Sequence, residues 1–269
     1  MIKAIVLLIV LLFSAGSYAA QPPAWHMNCS EPDGLPRGKL LLFGEMHGSK
    51  ETPALIAQLA CFLSKHQEVA IGLEIPSRDQ PLIDAYLASR GTNASREKLM
   101  SSVFWKTDRD GRSSAAMFEL IDAIRDLKEH GRAIDLFAFD DQPGTTLERN
   151  VAIANGIRRF VKEHREAKVV ALMGNIHAMQ DPMNIGKEKL VPSGYLLKDL
   201  TPISILVTYP KGTIWACMPD CRKHDLSPRT PVAGPAGFKN GATLDGYSRM
   251  FLLNSITASP PAIMNGSKG

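Results

Sequence analysis

The sequence predicts an α/β fold: a mostly parallel sheet covered by helices on both faces, with additional C-terminal strands. Three observations predict it. Short apolar runs bounded by Gly, Pro or charged residues recur between residues 39 and 173. Stretches with apolar residues at helical spacing separate them. Acidic residues and histidines come after the runs rather than interrupting them. Alternation of strands with helices implies parallel pairing, and strands that are apolar on both faces imply a sheet covered on both sides.

The first strand is Lys39-Leu-Leu-Leu-Phe-Gly44. Thr52 and Pro53 then signal a helix, since a first-turn proline lacks only a donor that has no partner there. Leu55, Ile56, Leu59, Phe62 and Leu63 form its buried face. Residues 69–73 make the second strand. Residues 79–99 read as helix broken at Gly91-Thr92-Asn93, and a polar segment runs from Asp108 to Ser114. Met117, Leu120, Ile121, Ile124 and Leu127 mark a helix with Ser113 or Ser114 as its cap and Gly131 as its end. Residues 134–139 form the third strand, about 146–164 an amphipathic helix, and 168–173 the fourth strand. Beyond Gly194, residues 203–209, 212–216 and 249–253 are the extra strands that complete or extend the sheet, and 225–241 has no periodicity and reads as loop.

Residues 1–19 read as a cleavable signal peptide: Lys3, an apolar run from Ala4 to Phe13, and small residues at Ser17 and Ala19. The run is shorter than the roughly 20 apolar residues that span a bilayer. Export is therefore expected, to the periplasm or the medium, with residues 20–269 forming a single α/β domain. A net charge of +4, 45% hydrophobic and 22% charged residues are ordinary for a globular protein. No basic cluster interleaves with aromatics, so no nucleic-acid partner is expected. No second run approaches membrane length, so no membrane span is expected after cleavage; oligomeric state is not legible. Export favours disulfides. The short loop between Cys217 and Cys221 pairs these two and leaves Cys29 with Cys61, whose spacing does not suit a zinc knuckle.

The residues just beyond each strand are more informative. The first strand ends in Gly44-Glu45-Met46-His47-Gly48, the second in Glu74, the third in Asp140-Asp141, the fourth in Gly174-Asn175-Ile176-His177. Carboxyl ends of parallel strands line the ligand crevice in open α/β sheets. Glu45 and His47, two apart in extended chain, share a side. Buried carboxylates need partners, and His47, His177 and Arg112 are available. Glu45, His47, Glu74 and His177 are the catalytic candidates, and Arg112 and Asp140 the substrate-binding ones. A surface ion pair for Arg112 and a turn role for Asp140 are the plainer alternatives. His47, His177 and Glu45 could also hold zinc, manganese or iron, whereas Met46, Met173 and Met179 suit core filling.

These motifs, in this order, resemble the superfamily joining erythromycin esterases, ChaN-like haem-binding proteins and Tiki-type proteases, over roughly residues 39–178. The stretch from Asp245-Gly246-Tyr247 through Ala258-Ser259-Pro260-Pro261-Ala262 resembles exported members of the same group. The resemblance implies an acidic, histidine-containing pocket used differently by each branch: to activate water in esterases, with a metal in Tiki-type members, for haem in ChaN-like ones. Two functions are therefore expected. The first is a hydrolase of a small-molecule or peptide substrate, with Glu45 or Glu74 as general base and His47 and His177 orienting water or binding a divalent metal. The second is extracytoplasmic haem capture, with His47, His177, a methionine or Tyr195 as axial ligand.

Overall fold

The structure, a computed structural model, describes residues 29–107, 111–141, 144–186, 188–227, 234–239 and 246–263. The expected signal peptide lies outside the described residues. In chain order the strands are β1 (Leu40–Glu45), β2 (Val69–Pro76), β3 (Ile134–Asp140), β4 (Lys168–Gly174), β5 (Met183–Ile185) and β6 (Glu188–Leu190). Then come β7 (Ile203–Thr208), β8 (Gly212–Cys217), β9 (Cys221–Leu226), β10 (Gly237–Lys239) and β11 (Arg249–Leu252). The helices are α1 (Glu51–Leu63), α2 (Gln80–Leu87), α3 (Asn93–Leu99), α4 (Val103–Thr107), α5 (Ala115–Glu129), α6 (Thr146–Glu163), α7 (Asn175–Ala178) and α8 (Ser193–Leu196).

Seven strands form one sheet in the order β10-β11-β7-β1-β4-β2-β3. Every neighbouring pair from β11 to β3 is parallel, and only the edge strand β10 runs antiparallel. Apolar runs on both faces are what such burial demands, and β1 shows how they are used. Leu41 and Phe43 enter the core shared with α1, α2 and α5, while Leu40 and Leu42 enter the core under α6. Helices thus cover both faces, as expected. Ser114 caps α5 through the Met117 amide, and Thr145 with Glu148 forms a capping box at the start of α6.

The C-terminal strands differ from expectation. β7 is not an outer addition: it lies between β11 and β1, inside the sheet. β8 does not join the sheet at all, but pairs with β9 in a separate hairpin. β9 is exposed for much of its length, so its Cys-Arg-Lys-His-Asp-Leu sequence carries no apolar alternation to announce it. β10 lies within the stretch read as loop, and the β5–β6 hairpin is a further unforeseen pair. Both disulfides pair as expected, Cys29 with Cys61 and Cys217 with Cys221. Among the described residues no helix is long and apolar enough to cross a membrane.

Two features set up the carboxyl edge of the sheet. The spatial order β1-β4-β2-β3 brings four strand ends side by side. Residues 256–262 then cross that edge as a strap, with Ser49 bridged to Ala258 and Ser114 to Pro261.

Candidate functional site

Glu45 ends β1 opposite Gly174 of β4, Glu74 lies where β2 loses register with β3, and Asp140 ends β3. Glu74 is at the centre. Its Oε2 accepts the Gly174 amide at 2.6 Å and lies 3.5 Å from His47 Nε2. Its Oε1 accepts from Arg149 Nη2 at 2.5 Å, and His177 Nε2 and Arg112 Nη1 stand 3.9 and 3.8 Å away. Beneath it Asp140, fully buried, accepts from Arg149 Nε and Nη2 and from Arg112 Nη1, each at 2.9 Å. The four expected catalytic residues and both expected substrate-binding residues therefore form one cluster, with Arg112 and Asp140 as its floor.

His47 leans back on Glu45, with 3.1 Å between Nδ1 and Oε1. The chain must turn sharply after it, and Gly48 does so at φ +91°. A Cβ there would lie 2.1 Å from the Trp215 carbonyl oxygen. The Gly48 carbonyl accepts from the Trp215 amide of β8 at 3.0 Å and the Ser259 amide of the strap at 2.8 Å. The lip of the site is thus held by chain more than 160 residues away in sequence.

His177 is fixed from another side. Its Nδ1 lies 2.7 Å from Asn150 Oδ1, which also accepts the Ser193 hydroxyl at 2.8 Å. Arg149, Asn150 and Ser193 are absent from the sequence-derived candidates. One signal was there: Asn150 shares its helical face with Ile153, Ala154 and Ile157, all buried, and a polar residue on an apolar stripe needs a partner at depth.

Gly174 packs close against both histidines and Glu74. A Cβ placed on Gly174 would stand 3.2 Å from His47 Nε2, 3.4 Å from His177 Cδ2 and 3.5 Å from Glu74 Oε2. The histidine side chains keep 17% and 12% of their surface open to solvent, against 2% and 4% for Glu45 and Glu74, so access from outside leads to the imidazoles. Burial works against charge on His47, but Glu74 and Glu45 hold its pKa up at about 10. Burial alone would raise Glu74; His47, His177 and Arg149 overcome it and hold Glu74 below the usual carboxylate range. Burial pushes Glu45 up, with His47 only partly compensating, and Glu45 Oε2 is buried without a hydrogen-bond partner. Burial also pushes His177 down against the pull of Glu74. One imidazole is held as a cation and the other as a neutral ring.

With Nδ1 of His47 turned to Glu45 and Nδ1 of His177 to Asn150, both Nε2 atoms face Glu74, whose charge is answered by arginine. Among the described residues no three His, Cys, Asp or Glu side chains converge as ligands. A haem axial ligand faces an apolar slot, whereas both histidines face the Glu74 carboxylate. Met173 and Met179 are core residues. Met46 and Tyr195 are exposed, the Tyr195 ring lying under Lys198. Hollows of about 590 Å³ beside Arg37 and Lys168 and about 400 Å³ beside Gln80 and Arg159 lie elsewhere and contain none of the cluster; the chemistry of the groups, rather than the size of the recess, marks the strand-end cluster.

No protein-family model matches the sequence, and no curated protein matches it. Solved structures do. A mutant of the erythromycin esterase EreC in its open conformation aligns with TM-score 0.61 at 12% identity, covering 84% of this chain and 93% of that one. A Bacillus cereus protein aligns with TM-score 0.54 at 11% identity, covering 82% and 90%. A succinoglycan biosynthesis protein aligns with TM-score 0.54 at 12% identity, covering 83% and 90%. At these identities the likeness is one of architecture: the chain shares its fold with these structures.

Proposed function

We propose that this chain is a hydrolase in which His177 is the general base and His47 the cationic donor. One observation carries the reading: two imidazoles of opposite character both turn Nε2 toward Glu74 and keep part of their surface open to solvent. A water beside His177 loses its proton to Nε2 as its oxygen bonds to the acyl carbon of an ester or amide. The charge that develops on the carbonyl oxygen is met by His47 Nε2–H. Collapse of the adduct breaks the bond to the leaving group, which takes the proton from His177. Glu74, read from sequence as an alternative base, is too acidic for that role because His47 and Arg149 stabilise its charge. Its work is to hold His47 charged, while Arg149, Arg112 and Asp140 hold Glu74. Such base catalysis contributes about 10² to 10⁴-fold.

The leader-like residues 1–19 and the two disulfides support action outside the cytoplasm. Purified protein is assayed against a panel of generic ester and peptide substrates, with haemin titrated in parallel. Turnover that His177→Ala and His47→Gln each reduce at least a hundredfold, without a Soret shift, is expected. Turnover indifferent to His177→Ala would overturn the assignment, and a stoichiometric Soret shift lost in His47→Ala would favour haem capture instead.

A further inference from the structure

His177 serves as a base at Nε2 only while its proton sits on Nδ1, yet a free neutral imidazole favours the opposite tautomer. Two elements remote in sequence converge on that Nδ1. Asn150 comes from the second turn of α6, and Ser193 from the start of α8. Both are fully buried. The next residue, Gly194, packs so closely on the chain after His177 that a Cβ would lie 2.5 Å from the carbonyl oxygens of Ala178 and Met179. Ser193 is thereby pressed into the core beside Asn150.

We propose that the Ser193–Asn150 pair holds His177 in its Nδ1–H tautomer, making Asn150 a positioning residue for the base. The Ser193 hydroxyl donates to Asn150 Oδ1 at 2.8 Å, and an amide oxygen has a second lone pair to offer. His177 Nδ1, 2.7 Å from that oxygen, completes the pair only by donating. Nε2 is then an acceptor, 3.9 Å from Glu74 Oε1: too far for a direct hydrogen bond and open to a bridging water. The opposite end of the amide makes no such contribution, since Asn150 Nδ2 is buried without a hydrogen-bond partner. The second nitrogen of a working histidine is commonly defined in this way, by what the first one bonds.

The geometry stands by itself; its catalytic meaning rests on the hydrolase reading, and the two are tested by different readouts. In ¹⁵N-histidine-labelled protein at neutral pH, His177 shows the Nδ1–H pattern. Asn150→Leu shifts it toward Nε2–H and lowers kcat about 10² to 10⁴-fold with KM little changed. Asn150→Asp retains an oxygen acceptor and restores the Nδ1–H pattern. Ser193→Ala removes one hydroxyl only and gives a mixed pattern, which keeps the claim testable if Asn150→Leu fails to fold. An Nε2–H pattern in the unaltered protein, or one unchanged by both Asn150→Leu and Ser193→Ala, overturns the positioning role. Absence of turnover with the tautomer pattern as described would overturn the hydrolase alone.

Discussion

Two buried charge clusters stand out among the described residues, and they are built differently. On α5, Asp122 accepts from Tyr86 Oη at 2.6 Å and Arg125 Nε at 3.0 Å on one oxygen, and faces Arg96 at 3.4 Å on the other. Arg125 is further tied to Glu129 at 2.5 Å. Both carboxylate oxygens of Asp122 are used, and the cluster joins α5 to α2 and α3. At the strand ends the charges are as deeply buried, and each cluster has an atom without a hydrogen-bond partner, Glu45 Oε2 here and Arg96 Nε there, but only here do two imidazoles stay partly open to solvent. Buried charge is therefore common to both. What distinguishes the strand-end cluster is a pair of histidines that solvent can reach.

The sharpest way to break this comparison is at Glu74. Glu74→Ala leaves Arg149, His47 and part of Arg112 without their shared anion, so a stability loss of about 3 to 5 kcal/mol is expected in urea titrations, with turnover lost. The signs fix its pH dependence. The raised pKa of His47 gives a contribution complete below 6.5 and lost as pH rises through about 10. The lowered pKa of Glu74 gives one present above 4.5 and lost as pH falls through its folded value. The gap between wild type and Glu74→Ala should be widest between pH 4.5 and 6.5. A gap that keeps widening toward pH 10 would contradict the His47 assignment.

Gly174→Ala is the next largest effect. It presses a methyl against His47 Nε2 and Glu74 Oε2 and should cost about 100-fold in turnover with little change in urea midpoint. Equal losses of both would make Gly174 a packing residue only. Asp122→Ala should do the reverse, costing about 1 to 3 kcal/mol of stability with kcat unchanged. A fall in kcat would join the two clusters into one system. Turnover should rise as His177 loses its proton below pH 6.5 and fall as His47 loses its own near 10; a single ascending limb would remove His47 from the chemistry. The smallest effect is expected of Thr145→Ala, about 1 kcal/mol from the lost cap, with a modest drop in turnover because Arg149 and Asn150 ride on the first turns of α6.

The legible part of this molecule was its alternation. β1 to β4 are short, apolar and punctuated, and the residues after each run pointed to one edge because parallel strands must end together. Strand order was not legible: no local pattern says that β7 inserts beside β1, since a buried strand looks the same at any internal position. β9 went unseen because an exposed hairpin needs no apolar alternation. Arg149 escaped because an arginine on an amphipathic helix has the appearance of a solvated face, and only the depth of Asp140 and Glu74 turns it inward. Asn150 was readable in principle, as the one polar member of a buried stripe. Ser193 was not, because its meaning depends on how α8 approaches α7.

The strap over the carboxyl edge carries a consequence for the order of events. Lys50 donates its amide to Thr257 at 2.9 Å, Ala262 to Ser113 at 2.8 Å, and Ala116 to the Ser259 hydroxyl at 2.9 Å. These bonds secure the loop behind His47 and the entry to α5, two of the earlier-made pieces of the pocket, by chain that lies well after both in the sequence. Domains are synthesised amino end first, so a growing polypeptide can form its first four strands and still lack the clasp. The carboxyl edge is therefore clasped only once residues 256–262 have emerged.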